Sequence, residues 1–336
     1  MENSELANKK VLLISPSFFG YSNNIMKELE RKGAIVSLYD ERPSNHVFLK
    51  FIFRIRILND FFARRVINNY FDSIFSDFLE DSFDYLLIIN PECTPVEFLS
   101  RVKKANPKCK TIVYMWDSVL NKPSSQNYIE IVDSFFSFDK RDCSDRVKFQ
   151  PLFYTNKPID GENESVNKYQ FSFVGTLHGN REKILVRIVS QTLGNKYYIY
   201  GFYHSKILRI IKKILTFDFF TNPPFKVEFK SLSYPNYLKS LSESNVVIDL
   251  PSQNQTGLTM RSIEVLGFKK KLITTNQDIV NYDFYNPNNI FIISGDNFLI
   301  PDDFFYSAYE DIDCDIYEQY SISSWVDSIF GVNNVQ

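Results

Sequence analysis

Glycine is scarce in this chain, with 11 among 336 residues. No G-x-G-x-x-G follows the first apolar run, and no Walker-type loop occurs. Both motifs rely on bare backbone to approach a pyrophosphate, so simple nicotinamide and P-loop chemistries lack support. Histidine and cysteine are thin as well. His46, His178 and His204 are too scattered for a metal triad, and there is no H-E-x-x-H. Cys93, Cys109, Cys143 and Cys314 stand far apart without a C-x-x-C, and read as reduced thiols. A G-x-S-x-G elbow is also missing. Neither charge sign dominates: 38 basic against 40 acidic residues give a net −2, so no global basic field points to nucleic acid. No apolar stretch reaches the ~18 residues of a spanning helix. The polar opening MENSELANKK is unlike a secretory signal. A cytoplasmic protein is expected.

What the chain has is bulk: 44% hydrophobic residues, including 32 Phe and 20 Tyr. That is ample for two cores, and the length suits about two domains of roughly 150 residues. Lys10 to Ser15 (KVLLIS) is a continuous apolar run, the mark of a strand buried on both faces. A helix from Asn23 to Lys32, a glycine stop at Gly33 and a strand from Ile35 to Tyr39 follow, which implies a right-handed parallel unit. Phe48 to Phe78 interleaves aromatic and basic residues. It reads either as amphipathic helices touching an anionic membrane or as helices covering a sheet. Strands resume at Tyr85–Ile89, Thr111–Met115 and Ser134–Phe138, ending in Asn90-Pro91-Glu92, Trp116-Asp117-Ser118 and Asp139-Lys140. In open parallel sheets ligands sit beyond such carboxyl ends.

A polar stretch, residues 156–168, reads as a linker between residues 1–155 and a second domain at 169–315. There the pattern restarts with a strand from Tyr169, the turn GTLHGN and a helix from Arg181 to Leu193. Ser205 to Leu215 (SKILRIIKKIL) reads as a surface helix, with membrane contact as the alternative. The stretch IDLPSQNQTGLTMRSIEVLGFKKKLITTN, from Ile248 to Asn276, predicts strand, polar loop, short helix and strand. Arg261 and Glu264 share one face at the start of that helix, beside its backbone N–H donors. The combination suits a diphosphate flanked by a sugar or ribose hydroxyl, or else is a surface Arg–Glu pair. Two parallel α/β domains with a cleft between them are expected, with a terminal helix within 316–336.

FVGTLHGNREK (Phe173 to Lys183) and, about 80 residues later, G-x-x-x-R-x-x-E-x-x-G with LITTN resemble the carboxy-terminal half of bacterial GT-B glycosyltransferases. The flavour is that of the group 1 and spore-coat-type enzymes of lipopolysaccharide, O-antigen or capsule assembly. The resemblance covers mainly residues 169 to 280. It implies two Rossmann-like domains facing a cleft, with the last helix returning to the first domain. It also implies an NDP-sugar co-substrate, UDP above all, and transfer to a glycan or lipid-linked acceptor at the inner face of the plasma membrane. No cofactor and no metal are implied. Gly175 and Thr176 would let backbone approach the diphosphate, and Arg261 would neutralise the leaving group. Glu264 would hold a hydroxyl, with Gly257 in the preceding loop and His178 as a further phosphate donor. Lys269 or Lys270 could assist the phosphate or simply end the helix. Candidates for the acceptor base are Asp117, Glu92 and Asp139, each of which can equally be a cap. No second carboxylate follows Gly267 closely, so retention or inversion stays open. An NDP-sugar epimerase and a non-catalytic nucleotide-sugar binder are the rivals.

Overall fold

Continuous apolar runs become parallel strands because both of their faces must be covered. The computed structural model describes residues 5–43, 60–155, 168–192, 196–203, 205–215, 223–252 and 255–331. The chain divides into two units, residues 1–152 with 322–336, and 153–321.

The first unit carries a six-stranded sheet: β1 (Lys10–Ser15), β2 (Ile35–Asp40), β3 (Tyr85–Ile89), β4 (Lys110–Met115), β5 (Ser134–Ser137) and β6 (Val147–Phe149). All neighbours pair parallel in the order β2-β1-β3-β4-β5-β6. The covering helices are α1 (Tyr21–Arg31), α2 (Asp60–Glu80) and α3 (Val96–Ala105). Gly33 ends the first crossover at φ 91°, where an added Cβ would meet the Ala7 backbone at 3.2 Å. The basic, aromatic stretch resolves in part. Phe71, Ile74 and Phe78 of α2 are buried in the sheet's core, so this portion covers the sheet. Residues 48–59 lie outside the described ones.

In the second unit β7 (Tyr169–Thr176), α4 (Arg181–Gln191), β8 (Tyr197–Phe202), α5 (Lys206–Leu215), β9 (Val227–Glu228), α6 (Tyr234–Ser242), β10 (Ser244–Asp249), α7 (Met260–Gly267), β11 (Lys271–Thr274) and β12 (Ile290–Ile292) follow in turn. The parallel order is β12-β11-β10-β7-β8-β9. The first strand of the unit therefore lies at the centre, and the winding reverses between β7 and β10, the Rossmann order. The expected linker, but for Lys168, falls outside the described residues.

The terminal region differs from expectation. A short helix α8 (Asp302–Tyr306) was not foreseen, and the single helix expected from Ile316 is two, α9 (Cys314–Gln319) and α10 (Ile322–Phe330). The break at Tyr320-Ser321 has a cause: the Tyr320 carbonyl accepts from Tyr154 N–H at 2.8 Å. After it, α10 joins the first unit. The Trp325 ring packs edge-to-face on Tyr114 at 4.9 Å, Phe330 on Tyr85 at 4.9 Å, and Asp327 accepts from Lys32 at 2.7 Å.

Trp325 is 1% exposed and among the largest fully buried side chains. Trp325→Ala should cost about 3–5 kcal/mol of first-unit stability by urea unfolding, through lost burial and the cavity left behind. A wild-type midpoint would show that α10 is not needed there.

Candidate functional site

The carboxyl ends of β7 and β10 flank the winding reversal of the second sheet, where open α/β sheets bind ligands. β10 ends in Asp249, which is 1% exposed. Its Oδ1 accepts from Arg261 Nη1 at 2.7 Å, and its Oδ2 from the hydroxyls of Thr259 (2.5 Å) and Ser262 (2.8 Å). Thr259 is also the N-cap of α7, its Oγ1 accepting from Ser262 N–H at 3.2 Å. One carboxylate thus ties the helix start and its arginine to the strand end. Arg261 is buried except for 22% of its side chain and lies 5.7 Å over the Phe173 ring. Gly175 leaves room for the Phe173 ring, which an added Cβ would approach to 3.0 Å, while Arg261 Nη2 would lie at an ordinary 3.5 Å.

A second arginine joins the spot. Arg181, the first residue of α4, donates through Nη1 to the carbonyl of Thr176 (3.0 Å) and to its hydroxyl (3.1 Å). Burial first, and the charge of Arg261 next, push the Arg181 pKa down to about 10, while Asp249 pulls it back. Burial also opposes the charge on Arg261, but Asp249 and the neighbouring Tyr237 and Glu264 outweigh it, and its pKa is raised. The Nε atoms of both arginines are buried without a partner. Unpartnered buried donors are uncommon and call for an explanation. Two guanidiniums and a helix N-terminus offer donors to an anion there, against the charges of Asp249 and Glu264. One turn on, Glu264 is 2% exposed and accepts from the Tyr234 hydroxyl at 2.7 Å. The Tyr237 hydroxyl is buried nearby, and burial first, with the charge of Glu264 next, raises its pKa well above the ordinary value.

The other expected residues divide. Gly175, Thr176, Arg261 and Glu264 come together around Asp249. His178 is exposed in the turn before α4. Gly257 is buried, and its carbonyl accepts from Gln255 (2.9 Å) and Asn276 (3.5 Å), which fastens the loop. Lys269 and Lys270 cannot assist a phosphate beside Arg261. They follow α7 and precede β11, at the amino edge of the sheet, and Lys269 pairs with Asp311 at 2.6 Å. Asp249, Arg181 and Tyr234 went unnoticed in the sequence. The signal available for Asp249 was an acid closing an apolar run.

In the first unit, Glu92 is paired with Arg42 (2.8 Å) and Lys122 (3.0 Å). Burial alone would raise its carboxyl, but those cations outweigh it and hold the pKa below the usual range. Asp117 accepts from Ser118 N–H (3.0 Å) and Asn121 Nδ2 (2.9 Å), both at Oδ1. Asp139 is fully buried against Arg141. Glu41, just after β2, is an unforeseen carboxyl. It is 0% exposed, and its Oε1 accepts from the N–H groups of Glu92 (2.6 Å), Cys93 and Thr94 (2.9 Å), fixing the loop that carries Glu92. Among the described residues no cluster of His, Cys, Asp and Glu could hold a metal ion. No described helix is long and apolar enough to cross a membrane.

No protein-family model matches the chain, and no curated protein does. Solved structures resemble it. The N-terminal domain of Candida albicans trehalose-6-phosphate phosphatase gives a TM-score of 0.59 at 9% identity over 99% of each chain. Anabaena HepE, in complex with UDP and glucose, gives 0.57 at 10% identity over 96% of this chain and 99% of its own. The UDP-GlcNAc 2-epimerase of Methanocaldococcus jannaschii gives 0.52 at 13% identity over 86% of this chain and 89% of its own. What they share with this chain is the fold, two Rossmann-like domains of the GT-B class.

Burial raises the Glu41 carboxyl from its ordinary value near 4.5 to about 7, against the pull of its N–H donors. Between those pH values the folded protein holds a proton that the unfolded chain has released. Stability should therefore fall by about 3 kcal/mol as pH rises from 4.5 to 7, then level off. Glu41→Gln keeps an acceptor for the three N–H groups and should flatten that slope in urea midpoints taken across the window. An unchanged slope would remove Glu41 as its source.

Proposed function

We propose that the chain is a glycosyltransferase that moves a sugar from an NDP-sugar, UDP-linked above all, to a glycan or lipid-linked acceptor in surface polysaccharide or lipopolysaccharide assembly. The observation that carries it is the pair of partly unsatisfied guanidiniums, Arg261 and Arg181, at the start of α7 and the β7–β10 reversal. As the glycosidic bond to the donor breaks, negative charge grows on the leaving diphosphate. Fixed cations and helix-terminal N–H groups stabilise that charge without a metal ion. Gly175 lets the leaving group approach the strand end, and Glu264, steadied by Tyr234, accepts from a donor hydroxyl. Asp117 is the favoured base for the acceptor hydroxyl. Its two described bonds fall on Oδ1, whereas Glu92 is committed to two cations. The structural likeness to HepE, seen with UDP and glucose, supports a nucleotide-sugar donor.

The likeness to a UDP-GlcNAc 2-epimerase favours an epimerase as the second reading. Thermal shift against UDP-, GDP-, CMP- and ADP-linked sugars identifies the donor, and product analysis separates the chemistries. Free UDP with a transferred or hydrolysed sugar supports transfer, and an epimerised NDP-sugar supports the rival. Activity should survive EDTA; a strict Mn²⁺ requirement would count against the scheme. Arg181→Ala should lose about 2–4 kcal/mol of transition-state stabilisation, by analogy with a removed oxyanion donor. Arg261→Ala should lose a similar amount and also stability, because Asp249 would be left buried without its cation. Wild-type turnover in Arg181→Ala would sink the site.

Peripheral contact with an anionic membrane fits α5, whose sequence KILRIIKKIL holds four cations and no acid. Its Ile207, Ile210 and Ile214 are 68%, 57% and 51% exposed, an apolar stripe for the acyl boundary beside cations that suit anionic headgroups. Co-sedimentation with phosphatidylglycerol vesicles should drop on Ile210→Asp, and equal binding by both proteins would exclude α5 as the contact.

A further inference from the structure

Arg261 points from the first turn of α7, and it is held in place only as well as that short helix is held. The start of α7 is tied to Asp249 through Thr259, Arg261 and Ser262. Its far end, Gly267, is met by a residue 50 positions on: the Tyr317 hydroxyl of α9 donates to the Gly267 carbonyl at 2.7 Å, in a buried place. The last carbonyls of a helix have no partner within it and carry the negative end of its dipole. A donor from another element therefore both satisfies that end and anchors it.

Tyr317 is itself built in. It is 7% exposed, its ring stacks on Tyr154 at 4.9 Å, and its carbonyl accepts from the Tyr154 hydroxyl at 3.2 Å. Lys269, just past α7, lies 5.6 Å over the same ring. Burial pushes the Tyr317 hydroxyl up to about 12, so it keeps the proton it donates. The Tyr154 N–H bonds in turn to the Tyr320 carbonyl at 2.8 Å, and Tyr154 bridges Ser321. The anchor of α7 thus belongs to a packed strap of the second unit. Its mechanical effect follows from the length of the helix. Eight residues make a rod of about 12 Å, and a rod held at one end can tilt. A binding group must stay within about 0.5 Å and 10–20° of its productive geometry. Any tilt of α7 turns the Arg261 guanidinium by the same angle.

We propose that Tyr317 is a positioning residue of the anion clamp: by fixing the far end of α7 it fixes the direction of Arg261. This role rests on the proposed reading of the clamp as a diphosphate site, and not on the chemistry of transfer.

Calorimetry on the full chain with inorganic pyrophosphate reads the clamp without a nucleoside. Tyr317→Phe keeps the ring and its stack and removes only the hydroxyl. It should weaken pyrophosphate binding by about fivefold, the equivalent of one hydrogen bond. Tyr320→Phe is the matched control, because it removes a hydroxyl of the same strap that bonds Asp283 at 2.5 Å. It should lower the urea midpoint and keep the wild-type affinity. Equal affinity in wild type and Tyr317→Phe, or an equal loss in both variants, would overturn the positioning role and leave the clamp standing. No pyrophosphate binding by the wild-type protein would remove the clamp and this role with it. Should Tyr317→Phe not fold, hydrogen exchange on the wild-type protein decides. Pyrophosphate should slow the Phe268 amide, which closes the end of α7 on the Glu264 carbonyl at 2.9 Å, and slowing confined to the helix start would overturn the role. UDP-sugar turnover is scored separately. Turnover with unchanged affinity in Tyr317→Phe sinks the positioning role alone, and the expected loss without any turnover leaves that role standing while the transferase proposal falls.

Discussion

A buried carboxylate must be matched or it will not stay ionised, and Asp249 imposes that condition on the second unit. At the end of a central strand, 1% exposed, it takes up Arg261, Thr259 and Ser262 together. Those three residues define where α7 begins and which way its first turn faces. Without Asp249, Arg261 would be a long cation at a helix N-terminus, repelled by the dipole and free to leave. With it, the guanidinium is pinned flat over Phe173 beside Gly175, and its Nε–H is left without a partner. The pinning offsets only one positive charge. Arg181 brings a second, and its lowered pKa records the cost of holding two guanidiniums close in a buried place. An arriving anion relieves that cost, so affinity and the direction of charge stabilisation come from the same arrangement.

The two units repeat one construction at a strand end. In each, a first strand ends at a turn leading to a helix, and the strand beside it closes in an aspartate: Thr176 and Asp249 in the second, Ser15 and Asp40 in the first. In the second unit an arginine neutralises that aspartate, and in the first the Asp40 Oδ1 accepts from Arg42 N–H at 2.9 Å. Glu41, the neighbour of Asp40, is spent internally, gripping three backbone N–H groups of the loop after β3. That grip shapes the edge without offering a group to a ligand.

Much of this was legible, and the limits have physical causes. KVLLIS and YLLII announced buried parallel strands because a strand covered on both faces cannot alternate. Arg261 and Glu264 were placed on a helix start because a polar loop holding Gly257 precedes them. Their partners were not legible. Spacing along a helix suggests that Arg261 meets Glu264, whereas burial gives Asp249, twelve residues earlier on a strand, the stronger demand for a cation. Of the two roles open to Lys269 and Lys270, the helix end is the one realised, because eight helical residues carry the chain about 12 Å, from the carboxyl edge to the amino edge. Glu41 had no local signature at all, because its contacts lie some fifty residues on. The break between α9 and α10 depended likewise on a pairing with distant Tyr154.

An anion clamp by itself does not separate a transferase from an epimerase, since either must hold a nucleoside diphosphate. The distinction falls on proton transfer. Moving a sugar to a hydroxyl requires one base, to take the acceptor's proton as the bond forms. Inverting a carbon centre by removing and returning a proton on opposite faces requires two groups able to exchange it. In the first unit Glu92 is locked between two cations, Asp139 is buried against Arg141, and Glu41 is bound to backbone. Asp117 has both described bonds on one oxygen, and Glu41 likewise takes its backbone donors on Oε1 alone, with Oε2 buried and unbonded.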